Sequence, residues 1–307
     1  MINRIYIPTL GRVDKQITWE SLPDFLKEIT VLVVQPKEKD LHGDKPILVL
    51  PDNDIGICKT RKFIYEYANS RNQRYGVFDD DLTFLKRRPK GNRPVKVEMS
   101  NDDWRELIET TDKWFDEGIS ITGLRLALLP PLNKDFQDNT ALYVVFFFNG
   151  QVLPQSNDLD WSIEIGEDVH LILQLMQRGH SNRVWDKFVL RQKEYSDGGC
   201  NTYRTGKIIN DCHQQLIYKH PKYISENGIK IGFDKQEIIH YLNTFDNIKF
   251  SFHHAGRMSR GVTPYTLWAV EKSPIPKESN IIFHEEKEKP PHLLPFEDLM
   301  IVKARRR

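Results

Sequence analysis

Apolar positions in the first hundred residues follow two alternating patterns. "RIYIPTL" (4–10) and "ITVLVVQP" (29–36) are short, β-branched and bounded by breakers, as buried strands are. "KPILVLP" (45–51) and "RYGVF" (74–78) repeat that pattern. Between them, "DKQITWESLPDFLKEI" (14–29) has helical spacing, with Asp14 placed to cap it and Pro23 to break or bend it. "GICKTRKFIYEYANSR" (56–71) predicts a further helix that can bury Ile57, Ile64 and Ala68. Strands alternating with helices argue for βαβ units and a parallel sheet.

The pattern changes after residue 98. "NDDWRELIETTDKWFDEG" (101–118) predicts an amphipathic helix, with Trp104, Leu107, Ile108, Trp114 and Phe115 on one face and Asp102 or Asp103 as cap. "ISITGLRLALL", "NTALYVVFFFNGQVL" and "DLDWSIEI" read as strands, and Asn149-Gly150 as a hairpin turn. "GEDVHLILQLMQRGH" (166–180) reads as a loop entering a helix. Helices near 207–220 and 234–245 and a strand "NIKFSFHH" (247–254) follow. The expected fold class is α/β: an open mixed sheet with a Rossmann-like parallel half and an antiparallel extension. One domain is expected over 1–270, in halves 1–98 and 99–270. A tail, 271–307, is expected to be partly flexible, although "LLPFEDLMIV" (293–302) is apolar enough to dock.

Composition adds little. The 307 residues carry 44 Lys plus Arg against 43 Asp plus Glu, so any basic surface is local. Cys58, Cys200 and Cys212 lack zinc spacing, and so sparse and odd a count fits a reducing compartment. There is no signal-peptide pattern, and no apolar run nears the roughly 20 residues of a membrane span. These features predict a cytoplasmic protein with no membrane partner.

Candidate chemistry gathers at "RYGVFDDDLTFLKRR" (74–88), where a buried-strand pattern runs into Asp79, Asp80 and Asp81. In open parallel sheets, ligands bind outside the carboxyl ends of the strands. If the strand continued, Asp79 and Asp81 would share one side, a pair suited to Mg²⁺ or Mn²⁺. The alternative is a solvated acidic turn. Glu167 and Asp168 open a predicted helix, where they either cap it or, kept ionised by the helix dipole, serve a proton transfer. "FSFHHAGRMSRG" (250–261) offers His253 or His254 as a metal ligand and Arg257 for a diphosphate; each histidine alone is as readily structural.

The ordered set "IPTLGR" (7–12), "IGICKTRKFIYEYANSRNQRYGVFDDD" (55–81) and "IGEDVHLILQLMQRGH" resembles the GT-A glycosyltransferases. With "TWESLP", "VVQPKE", "LPDNDIGICKTRKFIYEYA" and "SDGGCNTYRT" it resembles, more closely, the TET/JBP-associated glycosyltransferases over residues 2 to about 262. The resemblance implies a GT-A-like fold whose nucleotide-sugar-binding half is 1–98 and whose acceptor and catalytic half is 99–270. It implies transfer of a sugar, with glucose expected, from a UDP-sugar to the hydroxymethyl group of a modified pyrimidine in DNA, with inversion, in a bacterial or phage-infected cytoplasm. Carried over by residue, Asp79 and Asp81 hold a divalent cation with His253 or His254. Thr9, Arg12, Gln35, Arg61, Asp80 and Arg257 contact the donor, and Glu167 and Asp168 form the catalytic acidic element. Gly198, Gly199, Tyr203 and Arg204 line the donor or acceptor pocket.

A DNA acceptor calls for local positive charge. "LKRRPKGNRPVK" (85–96) supplies it, with Arg87, Arg88, Lys90 and Arg93 expected to meet phosphates; the plainer reading is a solvated basic loop. Three rivals stand beside the main reading. They are a glycosyltransferase for a glycan or protein acceptor, a carboxylate-metal nuclease or phosphotransferase, and a non-catalytic DNA-binding relative.

Overall fold

The computed structural model describes residues 1–88, 95–140, 142–192, 199, 205–220, 250–254, 266–271, 281–285 and 299–306. The chain divides into two compact units, Met1–Tyr203 and Arg204–Arg307. The predicted helix at 234–245 lies outside the described residues.

The first unit follows the expected alternation. Strand β1 (Ile2–Pro8) leads to two short helices, α1 (Ile17–Ser21) and α2 (Asp24–Lys27). Pro23 separates them: it holds Leu22 extended and heads α2. Asp14 is not the cap of α1. Gln16 occupies that position, and its side-chain amide is spent on Thr9 Oγ1 (3.0 Å) and the Arg12 carbonyl (2.7 Å). Strands β2 (Thr30–Val34) and β3 (Ile47–Val49), helix α3 (Ile57–Asn69) and strand β4 (Arg74–Phe78) complete the parallel half. Strands β5 (Leu82–Arg88) and β6 (Val95–Glu98) form an antiparallel pair ahead of helix α4 (Asn101–Asp116). Ser100, not Asp102 or Asp103, caps α4; Asp103 answers from the N3 position to close a capping box.

Strands β7 (Ile121–Leu126), β8 (Phe136–Asp138) and β9 (Val145–Asn149), helix α5 (Glu167–Gln177) and strand β10 (Asn182–Gln192) follow. "DLDWSIEI" is not a strand. It follows a 3-10 turn at Ser156–Asp158 and is held as a loop, with Trp161 Nε1 donating to the Ser156 carbonyl and Gln174 bonding both ends of the Asp160 peptide unit. Asn149-Gly150 does turn the chain, but onto the Gln73 carbonyl (2.9 Å) rather than into a returning strand.

The main sheet runs β3-β2-β1-β4-β9-β7-β10-β5-β6, with β8 added to β10. Strands β3, β2, β1 and β4 are mutually parallel, β9 is antiparallel to both β4 and β7, and β10 is parallel to β7 and antiparallel to β5. The open mixed α/β sheet read from the sequence is therefore the observed fold class. Successive connections move outward from β1 to β3, then cross back to place β4 on the other side of β1. That reversal, between the carboxyl ends of β1 and β4, is where ligands bind in such sheets.

Side chains alternate between two cores. Ile5, Ile7, Leu32, Val34, Phe78 and Phe147 pack with Leu22, Leu26, Trp104 and Trp114 on one face. Tyr6, Val33, Tyr75, Val77, Phe146 and Phe148 pack with Ile64, Tyr65, Leu171 and Leu175 on the other. One close approach requires glycine. A Cβ on Gly123 of β7 would meet Leu142 Cδ1 at 2.1 Å and the Val145 carbonyl oxygen at 2.4 Å. Gly123→Ala is expected to cost about 1–3 kcal/mol, because the backbone carbonyl cannot turn aside as a side chain can. In a unit of this size the thermal midpoint should fall by about 2–4 °C per kcal/mol, read by circular dichroism. An unchanged midpoint would contradict the close packing of β7 on the segment leading into β9.

In the second unit, helix α6 (Gly206–Lys219) is capped by Thr205, whose hydroxyl accepts from the Ile208 N–H. Strands β11 (Phe250–His254), β12 (Thr266–Glu271), β13 (Ile281–Glu285) and β14 (Leu299–Arg306) make a separate antiparallel sheet in the order β11-β12-β14-β13. Part of the sequence read as a tail thus supplies β13 and β14. Among the described residues, no helix is long and apolar enough to cross a membrane.

Candidate active site

The acidic turn sits at the switch point. β4 stops at Phe78, so strand alternation does not carry into Asp79, Asp80 and Asp81. They form the tight turn between β4 and β5, and their partners divide differently: Asp79 goes to Arg61, while Asp80 and Asp81 go to Arg12. Thr18 of α1, fully buried, pins the turn's backbone. Its hydroxyl donates to the Asp79 carbonyl and accepts from the Leu82 N–H (2.9 Å), and its N–H reaches the Asp80 carbonyl (3.0 Å). On the other side the Asp79 N–H donates to the Val144 carbonyl (3.0 Å), and Val144 has φ 55, a costly conformation for a β-branched residue.

The loop leaving β1 supplies the first arginine. Gly11, at φ 66, donates its N–H to Glu38 Oε1 (2.7 Å), and the chain then turns so that Arg12 Nη1 pairs with Asp80 and lies 3.3 Å from Asp81 Oδ2. Thr9 also hydrogen-bonds Asp80, and Gln192, at the end of β10, donates to Asp81 Oδ1 (3.2 Å). Gly199 closes over this loop. Its N–H donates to the Leu10 carbonyl (2.9 Å), and a Cβ there would stand 3.1 Å from Arg12 Nη2. The resemblance implies that Gly199 lines the donor or acceptor pocket; in the structure it lies against the loop that leaves β1. Gly198, Tyr203 and Arg204 lie outside the described residues.

The second arginine comes from α3. Arg61, 6% exposed, donates from Nη2 to Asp79 Oδ1 (2.7 Å), pairs through Nη1 with Glu167, and lies 3.8 Å from Asp168 Oδ2. Burial opposes its charge, but Glu167, Asp79 and Asp168 outweigh that and raise its pKa. Gly166, at φ 83, starts α5, so that Glu167 and Asp168 occupy its first turn, where the helix dipole favours carboxylates. Glu167 is buried against Arg61. Asp168 is more open, with a side chain 14% exposed, and lines a small cavity with Arg61, Tyr65, Tyr75, Phe146 and Phe148.

Among the described residues, five carboxylates, Asp79, Asp80, Asp81, Glu167 and Asp168, pair with the guanidinium groups of Arg12 and Arg61. Burial makes three of them, Asp79, Asp80 and Glu167, weaker acids than usual. Burial raises Asp79, against the pull of Arg61; it pushes Asp80 up to about 6, against Arg12, and Glu167 up to about 7, against Arg61. An oxygen-only donor set fits a hard divalent cation in kind. Among the described residues, however, no three of His, Cys, Asp and Glu already stand together as a metal cage. His253 and His254 belong to β11 in the second unit, and Arg257 lies outside the described residues.

Other expected contacts are placed as follows. Gln35 is buried, with Nε2 donating to the Ile55 carbonyl (3.2 Å) and Oε1 accepting from the Asp54 N–H (2.9 Å), so both ends of its amide hold the loop before α3. Arg87 and Arg88 lie on strand β5, not in a loop. Arg87 points inward to the Leu129 carbonyl (2.8 Å) and Asp186 (3.6 Å), while Arg88 is exposed. Lys90 and Arg93 lie outside the described residues. Thr18, Gln16, Glu38 and Gln192 were not anticipated. Their work is to hold the turn and the β1 loop, and no spacing along the chain marks it.

Solved structures with related backbones include mannose-1-phosphate geranyltransferase from Thermus thermophilus, 12% identical over 62% of this chain and 76% of that one, with a TM-score of 0.37. Another is the inositol-1-phosphate CTP transferase from T. maritima, 11% identical over 70% and 96% of the two chains, with a TM-score of 0.36. No curated protein matches the chain. The model of the TET-associated glycosyltransferases matches residues 3–199, from the second residue of β1 to the glycine that closes on Arg12. The acidic turn, both arginines and the start of α5 all fall within that span, and the chain belongs to the TET-associated glycosyltransferase family.

Proposed function

We propose that this glycosyltransferase is metal-dependent and moves a sugar from a UDP-sugar to the hydroxymethyl group of a modified pyrimidine in DNA, inverting the anomeric centre. The observation that carries this reading is the acidic turn at the β1/β4 switch point, joined through Arg61 to the carboxylates that open α5. Donor-side and acceptor-side chemistry would then share one cluster. In this reading Asp79 and Asp81 would hold a Mn²⁺ or Mg²⁺ ion; bound there, the ion would neutralise charge on the departing diphosphate. Thr9, Arg12 and Asp80 face the donor from the β1 loop and the turn. Asp168 takes the proton of the hydroxymethyl oxygen as that oxygen attacks the anomeric carbon. The bond from that carbon to the diphosphate oxygen breaks, and UDP leaves with its electron pair.

The test is to incubate the protein with hydroxymethylcytosine- and hydroxymethyluracil-containing DNA, Mn²⁺ and a panel of nucleotide sugars, then to measure nucleoside masses. One modified nucleoside should gain the mass of a sugar with one donor. No gain with any donor would overturn the reading.

One observation favours a second acceptor class. Lys86 pairs with Asp103 and Arg87 turns inward to Asp186, so the basic run presents less charge than its composition implies. A glycan or protein acceptor would suit that surface. Retention on DNA that weakens steeply with salt supports the DNA reading; no retention at low salt supports the other.

A further inference from the structure

Arg61 stands between the two acidic elements and touches both. Asp79 ends the β4 side of the site and Glu167 begins α5, far apart in sequence, and one guanidinium spans them with separate nitrogens: Nη2 to Asp79 and Nη1 to Glu167. The Nη1 atom is also 3.8 Å from Asp168 Oδ2, and the guanidinium carbon lies 5.4 Å over the Phe146 ring. Nε is buried without a hydrogen-bond partner. In this arrangement one N–H of each Nη is committed to a carboxylate, Nη2 to Asp79 and Nη1 to Glu167.

We propose that Arg61 is a positioning residue: it holds Asp79 in register with the first turn of α5 and makes no direct contact with the donor. The inference rests on the reading of Asp79 as a cation ligand and Asp168 as the base. Its content is geometric. A metal-bound donor and a base must be held within a fraction of an ångström of their productive separation, and misplacement by 1 Å costs about 100-fold in rate. A rigid, planar fork can bind two carboxylates at a set distance, which a lysine ammonium can neutralise but not space.

Arg61→Lys and Arg61→Met separate the alternatives. Each variant is checked for folding by circular dichroism. Donor affinity is then measured by calorimetry with Mn²⁺, and kcat at saturating donor. Arg61→Lys is expected to keep donor affinity within about threefold while kcat falls by about 100-fold. Arg61→Met should lose as much or more in kcat, with donor affinity again kept. If the Met variant does not fold, the Lys variant decides alone. Donor affinity falling with kcat preserved would make Arg61 a donor contact and overturn the proposal, as would unchanged kinetics in Arg61→Lys.

Failure of the functional reading is seen separately, as a wild-type protein that moves no sugar. The link itself is tested without turnover by a thermal-unfolding cycle of Arg61→Met and Glu167→Gln. Coupled shifts support it, and additive shifts overturn it whatever the activity.

Discussion

Asp79→Ala should abolish metal-dependent donor binding while leaving the protein folded. Second-shell changes at metal sites already cost 10–100-fold in affinity, so loss of a proposed direct ligand should cost roughly 100-fold or more. The fold should tolerate the change, because burial already works against the Asp79 charge and raises its pKa. The turn itself is held by backbone bonds from Thr18 and Val144 rather than by the carboxylate. Arg61 keeps Glu167 and Asp168 as partners. Calorimetry of a UDP-sugar with and without Mn²⁺ checks this. Metal-dependent binding that survives in Asp79→Ala would remove Asp79 from the ligand set.

Parts of this site could be read from the chain because they follow from elements. Four strands bounded by breakers and separated by helical spacing imply a parallel half-sheet. A run of acids after the last of these strands then lies at its carboxyl end wherever the other strands fall. The strand order cannot be read this way, since the crossover that puts β4 beside β1 depends on packing of both faces. Partner choice is equally hidden. Asp79 and Asp81 look equivalent on an extended strand, but the strand ends at Phe78 and the turn sends them to different arginines.

"DLDWSIEI" shows the converse error. Its alternation fits a half-buried strand, yet Gln174 takes up the Asp160 N–H and carbonyl and the Asp160 carboxylate accepts from the Ser162 N–H, which holds the segment as a loop. Arg87 was read as exposed because basic runs usually are. Both faces of β5 are covered: Phe84 joins the main core, Leu85 packs with Ala127 and Val189, and Arg87, on the same side as Leu85, meets its buried counter-charge in Asp186 of β10.

Asp168→Asn should lower kcat by about 10²–10⁴-fold and leave donor affinity unchanged, the loss expected when a general base is replaced by an isosteric amide. Two adjacent acids open α5, and the structure separates their circumstances. Glu167 is engaged by Arg61 Nη1, is 5% exposed, and is pushed by burial up to about 7. It is poorly placed to receive a proton from an acceptor. Asp168, one residue on, is more exposed, stands 3.8 Å from the same nitrogen, and borders the cavity beside Arg61. Its Oδ1 accepts from the Val169 N–H (2.8 Å), and Oδ2 is the oxygen nearer Arg61.

The informative comparison is Asp168→Asn against Glu167→Gln, each measured as single-turnover transfer with donor prebound. The larger loss should fall on Asp168, with Glu167→Gln acting only as far as it loosens Arg61. If Glu167→Gln is the more damaging and Asp168→Asn retains turnover, the base is misassigned. Arg61 would then be holding the reacting carboxylate itself rather than its neighbour.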